Sequence, residues 1–142
     1  MKYYHFLALA LTFSFLSCDK ESIVNEDDLP ADAAVFISTH YPTGEITRVI
    51  KERDDTKVTY DVYLSNGTRL EFSRSGTLKK IEGTERIPDS ALPLLVVQYV
   101  TNNYPAAYIR GWDKDDATSE ALLSNGLELV FDKHGNFLRV DD

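Results

Sequence analysis

A nucleophilic centre needs a nucleophile, a base and a group that orients the base. This sequence offers few such residues. Its one cysteine is Cys18, and its three histidines are His5, His40 and His134. Cys18 and His5 fall within or next to an apolar N-terminal stretch. His40 closes a helical pattern and His134 sits in a tight turn. Aligned within the chain as below, they face Asn103 and Ser75, which share only polarity with them. That suits polar end positions better than proton carriers. There is no Gly-x-Ser-x-Gly elbow and no glycine-rich phosphate loop. A lone cysteine excludes an intrachain disulfide framework and a multi-thiolate zinc site. The acidic run Asp113, Asp115 and Asp116, with Glu120 nearby, is the one cluster with metal-like chemistry. A calcium loop wants oxygen ligands at alternate positions and a glycine at the bend. Here Lys114 intrudes and no glycine is present, so a solvated turn is expected, as at Asp54-Asp55. The expectation is a protein that is not an enzyme, with no catalytic residue, metal or cofactor.

Recognition remains. Strand alternation directs Val62, Leu64, Leu70 and Phe72 toward a helix layer, together with Ala121, Leu123, Leu129 and Phe131. The opposite face then carries Tyr63, Leu122 and Val130, and the same alternation puts Tyr108 and Trp112 on one face of their strand. Large apolar groups on an open sheet face are what a recognition surface uses. The candidate binding face is therefore Tyr63, Tyr108, Trp112, Leu122 and Val130. The alternative is that these residues fill a seam between two repeats, above all Trp112.

The elements that would position these residues come twice. LPADAAVFISTHYP from Leu29 falls on LPLLVVQYVTNNYP from Leu92 without a gap. After a four-residue deletion in the second copy, LSNGTRLEFSRSGTLKKI falls on LSNGLELVFDKHGNFLRV. Two matched blocks in one order indicate a duplication. In the first block Leu29, Ala33, Phe36, Ile37 and Tyr41 recur at helical spacing, and Leu92, Val96, Tyr99, Val100 and Tyr104 repeat that face. Asp28 and Ser90 are candidate caps, and the closing Tyr-Pro stops each helix. A strand near 46–53 follows. Then the period drops to two around Asn66-Gly67, a hairpin expected to be type I′ with both central residues at positive φ. Gly76 marks a further hairpin with a bulge. The expected fold is α+β: a tandem repeat of one helix on a roughly four-stranded antiparallel sheet. The two sheets are continuous and both helices lie on one face. The repeats are 29–83 and 92–142, joined by a linker at 84–91.

The chain has 142 residues and a net charge of −8, from 15 Lys and Arg against 23 Asp and Glu. That balance excludes nucleic acid as a partner, since phosphate binding needs clustered cations. The N-terminus is an address. Lys2 is its only charge, Phe6 to Leu16 is apolar apart from Thr12 and Ser14, and Ser17-Cys18 precedes a polar turn. The apolar run is too short for a bilayer span, which takes about 20 residues. It resembles the bacterial lipoprotein signal, with 1–17 removed and Cys18 lipidated, although Phe15 stands where leucine is usual. An ordinary secretory signal with an incidental cysteine is the alternative. Residues 18–28 read as the lipidated cysteine and a flexible acidic tether, which resembles the surface-export signals of Bacteroidetes lipoproteins.

A lipoprotein signal followed by tandem "LP…FI…YP" and "L-NG…L-F" blocks resembles the PepSY-like, β-lactamase-inhibitor-like lipoprotein family of Bacteroidetes, over about residues 29–142. The resemblance implies a fold like that of β-lactamase inhibitory protein and an exported, non-enzymatic protein. It does not imply inhibition of a β-lactamase, because function belongs to a site and not to a fold. The functional expectation is a membrane-anchored lipoprotein, on the periplasmic or surface side of the outer membrane. It would bind a protein or peptide on the open sheet face. A structural or accessory component of an envelope complex is the alternative.

Overall fold

The structure is a computed structural model that describes residues 20–141. Its elements run β1 (Lys20–Val24), α1 (Ala31–His40), β2 (Ile46–Arg53), β3 (Val58–Leu64), β4 (Arg69–Ser73), β5 (Leu78–Glu82), α2 (Leu94–Asn103), β6 (Ile109–Lys114), β7 (Thr118–Leu123), β8 (Glu128–Asp132) and β9 (Phe137–Asp141). The strands form one nine-stranded antiparallel sheet in sequence order. The fold is α+β.

One row of registered pairs crosses all nine strands: Val24, Val49, Val62, Leu70, Ile81, Trp112, Ala121, Leu129 and Val140. Directly paired residues share a face, so this row defines the covered side. Its central members join the same core cluster as Ala33 and Ile37 of α1 and Val96 and Val100 of α2, so both helices pack on that face. The eight strand residues expected to face the helices are all buried there. Aromatic contacts pin the layers. Phe36 meets Phe72 edge-on at 5.7 Å, and Tyr99 stacks on Phe137 at 4.4 Å while meeting Phe131 edge-on.

Several local expectations need correction. The segment expected to be a flexible tether pairs instead: Lys20–Val24 adds a strand against β2, with Val24 opposite Val49. Backbone pairing to an exposed sheet edge does not require an apolar sequence, so composition concealed it. Both helices start at proline, with Pro30 and Pro93 in the cap positions. Asp28 instead accepts from the Asn25 amide, and Ser90 meets His40. The Asn-Gly hairpins are not type I′. Among the described residues only glycines have positive φ, at Gly67, Gly76, Gly126 and Gly135. Bonds from the Leu64 amide to the Thr68 carbonyl and from the Gly67 amide to the Leu64 carbonyl enclose a three-residue loop. That loop is a type I turn closed by one left-handed glycine, so asparagine needs no positive φ. The expected linker, 84–91, is packed. Ile87 and Ala91 enter the core, and the Ile87 amide bonds the Ile109 carbonyl.

Candidate functional site

The residues first weighed for catalysis are dispersed. His40 ends α1; its Nδ1 lies 2.9 Å from Ser90 Oγ and its ring packs on Phe36. His134 lies in the β8–β9 turn, where its amide donates to Asp132 Oδ1. Asp115 accepts from the Ala117 and Thr118 amides, as Asp54 accepts from the Thr56 and Lys57 amides. These backbone hydrogen bonds hold both carboxyls below their ordinary range, so each aspartate is a turn cap. Among the described residues no group of three or more His, Cys, Asp or Glu is placed to hold a metal. Residues 1–17, read as a signal peptide, and Cys18, read as lipidated, lie outside the described residues.

The expected binding face divides. Trp112 does not belong to it: it is 4% exposed, pairs with Ile81 and sits in the helix-covered core. The ladder between β6 and β7 shifts between Ile109 and Gly111, so Ile109 and Trp112 both face the core. An irregularity of this kind reverses the alternation on which the expectation relied. Tyr108 precedes β6, and its hydroxyl reaches the Thr84 carbonyl at 3.4 Å. Tyr63 and Leu122 do lie on the open face, half-buried; the Arg48 guanidinium covers the Tyr63 ring at 4.2 Å. Val130 is on the same side, between Glu120 and Arg139, but is 1% exposed. Among the described residues no broad aromatic patch forms on this face.

The open face is instead charged, in two registered rows. One runs Asp61, Glu71, Lys80, Asp113, Glu120, Val130 and Arg139. The other runs Tyr63, Arg69, Glu82, Gly111, Leu122, Glu128 and Asp141. In the first half of the sheet Arg69 and Lys80 pair with carboxylates, while burial and the charges of Asp61 and Glu21 push the Glu52 carboxyl up. Arg69 donates from Nη2 to Asp61 Oδ2 at 2.8 Å and from Nη1 to Glu82 Oε2 at 2.9 Å. Burial alone would lower the guanidinium's pKa, but its bonds to Asp61 and Glu82 prevail and raise it. Lys80 Nζ lies 2.8 Å from Glu82 Oε1 and 3.4 Å from Asp113 Oδ2. The Lys80 hydrogen bond, helped by Arg69, keeps Glu82 below its ordinary range.

In the second half the charges do not balance. Desolvation pushes the Glu120 carboxyl up. Glu128, within hydrogen-bonding reach, adds to the rise, and so do the charges of Asp113 and Asp141. No ion pair neutralises Glu120 or Glu128 among the described residues. Beside them lies a shallow cleft of about 140 Å³ that Lys80, Glu82 and Asp113 also line; Gly111 in its floor is buried, and a Cβ there would lie 3.0 Å from Leu122 Cβ. The arrangement can hold a cation or a hydrogen-bond donor. It offers no nucleophile with an oriented base.

A family model described as "Putative beta-lactamase-inhibitor-like, PepSY-like" matches residues 57–139. A Bacteroides vulgatus protein solved by crystallography and described as a "putative periplasmic protein" is 31% identical, with a TM-score of 0.83 over 88% of this chain and 99% of its own. The chain belongs to the PepSY-like family. A second relative, from Bacteroides thetaiotaomicron, is described as a "putative calcium-regulated periplasmic protein". It is 28% identical, with a TM-score of 0.82 over 86% of this chain and 97% of its own. A third, a Bacteroides vulgatus periplasmic protein of unknown function, is 27% identical, with a TM-score of 0.81 over 87% of this chain and all of its own. No curated protein matches. In this PepSY-like chain the charged rows of the open face escape a reading that follows apolar residues alone. The signal was present, since strand alternation from the correctly placed Leu70 and Leu129 already puts Asp61, Arg69, Glu120 and Glu128 on the outer side.

Proposed function

We propose that this PepSY-like chain is an exported, non-enzymatic lipoprotein that binds a protein or peptide across the open face of its sheet. One observation carries the reading: both helices cover one face, and the bare face gathers half-buried carboxylates that its own cations do not neutralise. Family relatives that are periplasmic support export. The signal at 1–17 and lipidation at Cys18 complete the address, by a membrane anchor on the outer membrane. Cys18→Ala is expected to release the protein from membranes, and unchanged fractionation would remove the anchor from the proposal.

The reading includes a tandem repeat of 29–83 and 92–142. Matching helix ends support it, with Tyr41 at φ −130, ψ 55 and Tyr104 at φ −133, ψ 57. So do equivalent loops around Gly67 and Gly126. The rival, a structural component of an envelope complex, would engage the sheet edges, where Val140 of β9 is 37% exposed on the helix-covered side. Capture from the cell envelope separates the two. Partners held by the wild type are expected to be lost with Tyr63→Ala plus Leu122→Ala and kept with Val140→Ala. The reverse pattern would assign the edge.

A further inference from the structure

β9 lies at one edge of the sheet, and its counterpart β5 shows how such an edge is completed. LKKIE of β5 aligns with FLRVD of β9, so Lys80, Ile81 and Glu82 match Arg139, Val140 and Asp141. Each strand carries the same irregularity against its inner neighbour, at Glu71/Phe72 and at Val130/Phe131. That irregularity does not stop β5 from pairing outward. Lys80 stands opposite Asp113 of β6, Ile81 opposite Trp112 and Glu82 opposite Gly111, and Ile81 is fully buried. On β9, among the described residues, no strand pairs with the outer edge. Val140, which ends the covered row of the sheet, is left partly exposed. A common guard is also missing. Lysine on an edge strand disfavours further pairing, yet where β5 has Lys79, β9 has Leu138, 51% exposed.

We infer that a second copy of this chain pairs with this edge, β9 against β9, antiparallel about a two-fold axis at Val140. In that register Val140 of one copy meets Val140 of the other, and Arg139 of each stands opposite Asp141 of the other. The pattern repeats the seam between β5 and β6, with cation against carboxylate and apolar against apolar. Directly opposed pairs of both kinds favour antiparallel pairing. The other edge of the sheet is a poorer match. Val140 set against Val24 of β1 puts Asp141 opposite Ile23, and set against Ser22 it puts Asp141 opposite Glu21. A β1–β9 contact would also build an open chain of copies, whereas the two-fold contact closes. Paired residues share a face, so the joined sheets carry their helices on one side and leave both open faces bare. The inference therefore goes beyond the open-face reading and does not depend on it. The contact is as short as the β5–β6 seam, so association is weak and shows at high protein concentration.

The test is sedimentation of the purified protein over a wide range of concentration. Wild type is expected to show a reversible equilibrium between monomer and dimer, with nothing larger. Arg139→Asp sets carboxylate against carboxylate, and Asp141→Arg sets guanidinium against guanidinium. Each alone is expected to weaken association by about tenfold or more. Mixed in equal amounts, the two variants should dimerise with each other, because every opposed pair is then oppositely charged. A second measurement uses mild oxidation in a Cys18→Ala background. Val140→Cys is expected to give a disulfide-linked dimer, since directly opposed Cα atoms of an antiparallel pair lie about 4.5–5.5 Å apart, within disulfide reach. Ser22→Cys, on the β1 edge, should stay monomeric. A wild type that is monomeric throughout, association unchanged in both charge variants, or a mixture that fails to associate would each overturn the inference. So would larger assemblies, or cross-linking through Ser22→Cys in place of Val140→Cys. A monomer leaves the open-face reading standing, because that reading is tested at Tyr63 and Leu122.

Discussion

Asp61 has a side chain only 3% exposed, and Arg69 is its sole ion-pair partner among the described residues. Removing one member of such a pair strands the other charge. Arg69→Ala is expected to cost about 3 kcal/mol, whereas Asp61→Leu with Arg69→Met should recover most of the loss. Urea unfolding of the three proteins checks this, and equal losses in the single and double variants would contradict it. Glu120 presents the opposite case, raised by desolvation and by its neighbour Glu128. A carboxyl whose pKa is raised on folding contributes stability below its unfolded pKa, and that contribution is lost as pH rises through the folded value. At neutral pH the ionised Glu120, whose pKa burial raises, therefore opposes folding. Glu128→Gln is expected to raise Tm at pH 7 by about 3 °C, a gain of roughly 0.5–1 kcal/mol from relief of a like-charge neighbour. The gain should fade in acid, below the carboxylate range, where both proteins carry a protonated Glu120. A Tm gain independent of pH would contradict the account. These charged pairings were illegible in the sequence for a definite reason. Alternation gives a residue's face, but only the register between strands tells which charge stands beside which.

The elements themselves were largely legible. The helical faces from Leu29 to Tyr41 and Leu92 to Tyr104, and the inward rows of β3, β4, β7 and β8, were readable because burial enforces their period. Two features were not. β1 is held by backbone pairing that its acidic sequence does not announce, and the shift between Ile109 and Gly111 turned Trp112 inward. The turn glycines were readable as turns, but their unequal cost appears only in the packing. Gly67 has φ 84 with open space around it, whereas a Cβ on Gly76 would lie 2.8 Å from the Ala33 amide nitrogen at the start of α1. Gly67→Ala is therefore expected to cost only the left-handed strain, about 1–2 kcal/mol. Gly76→Ala should cost about 3 kcal/mol or more, because α1 must also shift away from the sheet. Thermal melts of the two variants decide this. Equal losses would mean that the β4–β5 turn does not support the helix.

At the scale of the molecule, the halves meet along three registered pairs: Lys80 with Asp113, Ile81 with Trp112, and Glu82 with Gly111. The only tryptophan in the chain sits on the covered side of that seam. Trp112→Ala is expected to cost about 3–5 kcal/mol, the usual loss for emptying a large buried site. Because the seam is short, it should also split unfolding into two transitions. Wild type should unfold in one, with tryptophan fluorescence and far-ultraviolet circular dichroism coincident. A mild loss of stability would place Trp112 outside the core. The central claim is that the uncovered face of this single sheet is where a partner sits. Photo-crosslinking in cells tests it most directly, with the probe placed in turn at Leu122 on the open face and at Val35, 62% exposed on the outer side of α1. The expected result is a discrete protein adduct from Leu122 and none from Val35. Adducts from Val35 alone, or equal adducts from both, would contradict the account.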